Sequence, residues 1–188
     1  TSNSGSATNY TRWTNATGGF SIIKATISTG SGYHQKTMDH GLSVPPDFIV
    51  SKGLDSGGDD ENWIVYHSSI GTSGMLYFNT TAAEDTSNAW KITATSNSSF
   101  TFDSYGNAQN QMFYAWAGIE GYSKFGTYEG DDQDPGRFVH TGFRPKFVII
   151  KNIDATDSWI MLDTARNKHN EAFNWLAVDS NAAENTTE

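Results

Sequence analysis

Residues 140–163, HTGFRPKFVIIKNIDATDSWIMLD, decide the fold. Phe147-Val148-Ile149-Ile150 and Trp159-Ile160-Met161-Leu162 are two short apolar runs, separated by a polar loop at 151–158. Runs of this length bounded by turn residues predict a β-hairpin. The same arrangement stands a hundred residues upstream, where 40–67 read HGLSVPPDFIVSKGLDSGGDDENWIVYH. Phe48-Ile49-Val50 matches Phe147-Val148-Ile149, Trp63-Ile64-Val65 matches Trp159-Ile160-Met161, and Pro46 matches Pro145. Downstream, LYFNTTAAEDT (76–86) matches LAVDSNAAENT (176–186). The chain therefore reads as a tandem repeat whose loops vary while its strands persist, the pattern expected of a duplicated β unit.

Working outward, further short strands are predicted at 20–28, 75–79, 90–95, 99–103 and 112–117, with turn residues between them. Such spacing predicts an all-β sandwich or jelly roll with a pseudo-twofold internal duplication. Residues 82–88 read as one helical turn. In the second copy 122–128 is the predicted first strand, and nothing after 179 matches the three strands at 90–117. The domain reading is an N-terminal extended arm at 1–18, a first repeat unit at 19–118 and a second, incomplete unit at 119–188, packed as one β-rich body. An incomplete sheet leaves an open edge. Tyr10 and Trp13 in the arm stand where Tyr114 and Trp116 stand relative to the next Gly-aromatic-Ser, so the arm is the expected occupant of that edge, in the same or the next subunit. A donated strand that links subunits head to tail yields filaments.

Composition narrows the function. The 188 residues carry a net charge of -9, which argues against nucleic acid as a partner because phosphate binding needs clustered Lys and Arg. No apolar run approaches a membrane span, so membrane insertion is not expected. The chain has no Cys, hence no disulfide framework or thiolate site. No leader is visible and the first residue is not Met, as expected of a processed or trimmed chain.

Candidate sites are few. No nucleophile elbow, phosphate loop or zinc-protease motif occurs, and a non-catalytic protein is expected. Tyr33, Tyr105 and Tyr128 are the loop aromatics suited to glycan contact. Asn9, Asn15, Asn79, Asn97 and Asn185 each begin a glycosylation sequon, a weak signal in so Ser/Thr-rich a chain. The acidic run 129–134 reads first as a solvated turn; its sharper reading is a calcium site at Asp131, Asp132 and Asp134. Otherwise no cofactor is expected. His40 and His140 precede matched repeat segments and read as structural imidazoles.

GYSKFGTYEG (121–130), RFVHTGFRPKFVIIKNID (137–154), WIMLDTAR (159–166) and the downstream NAAE together resemble a tandem-repeat family of tail-fibre and virion structural proteins from marine and freshwater bacteriophages. The resemblance spans about 19–188. It implies a β-rich, extracellular, non-catalytic virion part, and it supplies no catalytic residue. The first copy departs from it, with HGLSVP in place of the TGFRP form. The expected function is a structural, self-assembling subunit of an extracellular filament or phage tail fibre, whose partner is itself. The alternative is a module that binds a host-surface glycan or receptor.

Overall fold

The computed structural model describes residues 10–28, 32–55, 62–105, 109–133, 136–169 and 172–186. Among these the chain forms twelve strands and no helix: β1 (Tyr10–Asn15), β2 (Phe20–Ser28), β3 (Tyr33–Asp39), β4 (Phe48–Gly53), β5 (Ile64–His67), β6 (Leu76–Tyr77), β7 (Lys91–Thr95), β8 (Ser99–Tyr105), β9 (Gln109–Trp116), β10 (Phe147–Ile150), β11 (Ile160–Asp163) and β12 (Leu176–Ala177). The all-β sandwich read from the sequence is the fold observed.

The strands form a six-stranded sheet, β1-β2-β9-β4-β5-β6, and two three-stranded sheets, β3-β8-β7 and β10-β11-β12. β9 is the centre of the large sheet. It pairs antiparallel with β2 on one side and β4 on the other, so Trp116 faces both Phe20 and Phe48. Alternation decides which residues go inside. Ile23, Ile49, Ile64 and Phe113 point from the large sheet into one core, where Met38, Ile92, Phe100 and Phe102 meet them from β3-β8-β7. Phe113 lies 5.2 Å from Phe100 and 5.1 Å from Phe102, the second pair edge-on, as aromatic quadrupoles prefer.

The opposite face of the large sheet carries Val50, Val65 and Leu76. These pack with Trp159, Ile149, Ile153 and Val178 from the β10–β12 region. The large sheet is thus covered on both faces, by β3-β8-β7 on one and by β10-β11-β12 on the other. Backbone bonds tie the second cover down: the Glu84 amide donates to Ile153, and the Asp157 amide to Thr81.

The ladders β4-β5-β6 and β10-β11-β12 have the same register. Val50 opposes Val65 as Ile149 opposes Met161, and Val65 opposes Leu76 as Met161 opposes Leu176. The bridge between Met75 and Asp85 has its like in Trp175 and Asn185. Their surroundings differ. Ile49, Ile64 and Tyr66 are buried, whereas the matching Val148, Ile160 and Leu162 are only half-buried.

Two local expectations are corrected, and one strand was missed. Residues 82–88 form no helical turn, because Asp85 is held in a bridge to Met75 and the Glu84 amide is spent on Ile153. Residues 122–128 form no strand. They approach the large sheet through Phe125, which stacks on Phe48 at 5.7 Å. Conversely β3 was not expected, since YHQKTMD places only Met38 in the core. It exists because β8 offers it a seven-pair ladder from Tyr33–Tyr105 to Asp39–Ser99.

Candidate functional site

The open features of the molecule are its sheet edges. β4 is flanked by β9 and β5, but β10 pairs with β11 alone. The outer N–H and C=O groups of β10 therefore lack a strand partner among the described residues, and β10 itself carries no charge or proline to blunt that edge. Phe147 is 55% exposed there. Its counterpart Phe48 is half-buried against Trp116, 5.7 Å away, and Phe125.

The described part of the arm does not fill that edge within the chain, and residues 1–9 of it lie outside the described residues; β1 pairs along its whole length with β2 instead. The reason lies in its inward residues. Tyr10 is buried in the first core, and its hydroxyl accepts a bond from the Asp39 amide at 3.3 Å. Arg12 pairs with Asp39 at 2.6 Å. Burial alone would raise the Asp39 pKa, but the Arg12 guanidinium and the Gly41 amide hold it below the usual carboxylate value. Trp13 points the other way and is 57% exposed. β1 also forms an edge, that of the six-stranded sheet. Among the described residues this edge too has no strand partner beyond β2, and it bears its own exposed aromatic.

The outward face of β3-β8-β7 gathers a second group. Tyr33 and Tyr105, two of the three expected glycan-contact residues, are register partners. Both belong to strands, not loops. Beside Tyr33, Asp103 is buried, and it accepts bonds from the Tyr33 hydroxyl, from Gln35 Nε2 at 3.0 Å and from Thr93 Oγ1 at 2.9 Å. The bond to Asp103 raises the Tyr33 pKa. Sequence reading missed Asp103, Gln35 and Thr93. The signal was available in the alternation of SFTFD, which puts Thr101 and Asp103 on the face away from Phe100 and Phe102.

The other candidates lie apart. Tyr128 is exposed, outside any strand. Asp131 binds Arg137 at 3.4 Å, Asp132 is exposed with φ at 50°, and Asp134 is outside the described residues. Among the described residues no three metal-ligating groups converge. Of the sequons, Asn97 sits exposed in the β7–β8 turn, Asn15 is exposed at the end of β1, and Asn185 is half-buried. Asn79 holds the Trp63 amide at 2.8 Å, and Asn9 is outside the described residues. His40 is fully buried: its Nδ1 accepts from the Leu42 amide and its Nε2 bonds the Ser96 carbonyl, both at 3.0 Å. His140, by contrast, is exposed.

A family described as a domain of unknown function, DUF7483, matches residues 1–188. No curated protein and no solved structure matches the chain.

Proposed function

The chain belongs to the DUF7483 family, and we propose from its geometry that it is a structural, self-assembling β subunit of an extracellular filament or phage tail fibre. The observation that carries this reading is the unfilled outer edge of β10, beside a ladder that repeats β4-β5-β6 in register. We take the two ladders as copies of one unit, the second lacking the strand that β9 supplies to the first. An apolar edge without a gatekeeper in the strand is a template for another strand. The complementary group is the outer edge of β1. Joining β1 of one subunit to β10 of the next is a heterologous contact that does not close on itself, and it propagates.

The test uses two exposed positions. Trp13→Glu disables the β1 edge and Phe147→Glu disables the β10 edge. Electron microscopy at near-neutral pH should show wild-type filaments and neither variant assembling. Mixing the two variants should give dimers and no longer species, because each retains one good edge. Dispersed wild type, or filaments from both variants, refutes the reading.

A second reading, attachment to a host-surface glycan, has one observation in its favour: the exposed Tyr33 bonded to the buried Asp103. Saturable glycan binding that is lost in Tyr33→Ala supports it, and equal binding by that variant rejects it.

A further inference from the structure

The cations of this acidic chain are unevenly placed. Seven of its 12 Lys and Arg residues fall after residue 118. Arg137 is neutralised by Asp131, and Arg166 by Asp163 and Glu184. Arg144, Lys146 and Lys168 have no carboxylate within ion-pair distance among the described residues. Yet these three, with Thr164, line one depression of about 320 Å³. Arg144 and Lys168 also border an adjoining cleft of about 640 Å³, whose walls include Phe138, Phe143, Pro145 and His169. Among the described residues neither depression has a carboxylate in its lining. Three like charges gathered around a hollow repel one another, and that arrangement is relieved by an anion between them.

The hollow is also held in shape. Pro145 fixes the backbone between Arg144 and Lys146. The Thr164 amide donates to the Lys146 carbonyl at 3.0 Å, which joins the approach to β10 to the loop that bears Lys168. That loop is braced by Asn167, whose Nδ2 donates to the Asn174 carbonyl at 2.6 Å and whose Oδ1 accepts the Asn174 amide at 3.0 Å. The Arg166–Asp163 pair fixes it from the other side.

We propose that this depression is a binding site for an oxyanion, a sulfate or phosphate ester carried on a saccharide. Arg144 supplies the planar fork that matches such an oxyanion, and Lys146 and Lys168 supply point charges. Phe138, which is 89% exposed, and the half-buried Phe143 offer apolar surface for the sugar ring. A densely charged nucleic acid fits less well, because the net charge of -9 repels it beyond the reach of three cations. Lys146 directly precedes β10, so the site borders that edge, but it uses side-chain cations and none of the strand's backbone groups.

The test is calorimetric titration of the full chain at low salt. The ligands are a sulfated tetrasaccharide, its desulfated form, a sugar phosphate and a DNA oligonucleotide of matched charge. Arg144→Gln/Lys168→Gln is the site variant and Lys24→Gln the exposed control, with circular dichroism confirming that both fold. One-to-one binding of a sulfated or phosphorylated sugar, at least tenfold weaker in the site variant and unchanged in the control, supports the site. The stronger of the two ester ligands identifies the source. Equal affinity for the desulfated form, equal affinity in the site variant, tighter binding of the oligonucleotide, or no saturable binding overturns it.

Discussion

Replacing Trp159 with Ala tests whether the second ladder is a packed part of the sandwich. Trp159 is 4% exposed, lies 5.0 Å edge-on to Phe78, and donates its Nε1–H to the Tyr77 carbonyl at 2.8 Å. A buried indole hides on the order of 200 Å², or about 5 kcal/mol at ~25 cal/mol/Å². That figure is an upper bound, since the unfolded chain already hides part of the area. The lost hydrogen bond adds about 1 kcal/mol. Measured truncations of buried aromatics cluster at about 3–5 kcal/mol, so ~4 kcal/mol is the expected loss. For a chain of this size it corresponds to a fall in Tm of about 8–16 °C. Trp63 is the control. It holds the matching position in the first ladder but is 36% exposed and stacks on Tyr114 at 6.5 Å. On the same area scale Trp63, with about two-thirds of the indole hidden, gives about 3 kcal/mol as an upper bound, so Trp63→Ala should cost clearly less than Trp159→Ala. Urea unfolding followed by far-ultraviolet circular dichroism, beside calorimetry, measures both. The reasoning fails if Trp159→Ala costs under about 1 kcal/mol. It fails equally if the wild type melts in two steps and only the lower one moves.

Gly19 has φ at +62°, and a Cβ there would stand 2.4 Å from the Ala117 carbonyl oxygen, so Gly19→Ala should cost at least about 2 kcal/mol by urea midpoint. Gly126→Ala, which meets nothing within 4 Å, should be near neutral. Burial lowers the pKa of His40, and of His67, from the ordinary 6.5. As pH falls below that value the unfolded chain takes up protons that the fold resists. Stability should therefore drop on acidification until the folded pKa values are passed. Tm measured from pH 7.5 downward should show this, and His40→Gln should start lower yet fall less steeply; an unchanged slope refutes the assignment. Burial first, then the bond to Asp85, raises the Tyr77 pKa to about 12. Its contribution is complete below pH 10 and is lost as pH rises toward 12. An absorbance titration should show one late-ionising phenol that disappears in Tyr77→Phe.

The strands that sequence revealed are those whose own residues carry the signal. Phe20–Ser28 and Phe147–Ile150 are β-branched and aromatic, and they form where they were expected. β3 is the contrary case: its strand state is conferred by β8, sixty residues away, and no local pattern records that pairing. Residues 122–128 show the reverse error. GYSKFGTY has strand-forming residues, but Phe125 is taken up by Phe48 and His67, and no ladder receives the backbone. The arm was legible as an aromatic pair but not in its partner, since Tyr10 is placed by a buried pocket and by Asp39, which lie far along the chain. The exposed sites were legible only in part. Tyr33 stood out as an aromatic, while Asp103 and the Arg144–Lys146–Lys168 group needed the fold to bring them together.

The contrast between the two ladders is the strongest physical argument for assembly. They share register and nearly share chemistry, since Ile49, Ile64 and Tyr66 correspond to Val148, Ile160 and Leu162. In the first ladder these residues lie under β3-β8-β7, and β9 seals the edge. His40 belongs to the same cover, stacked on Phe100 and bonded to Ser96. In the second ladder the matching residues keep their apolar character without a second sheet over them among the described residues, and Phe147 is exposed at the strand's start. A face meant for water would alternate toward polar residues, as the outer face of β3-β8-β7 does with Gln35, Thr37 and Thr93. The second ladder does not. Apolar residues retained on a half-buried face and an unblunted edge fit a surface that another polypeptide strand completes.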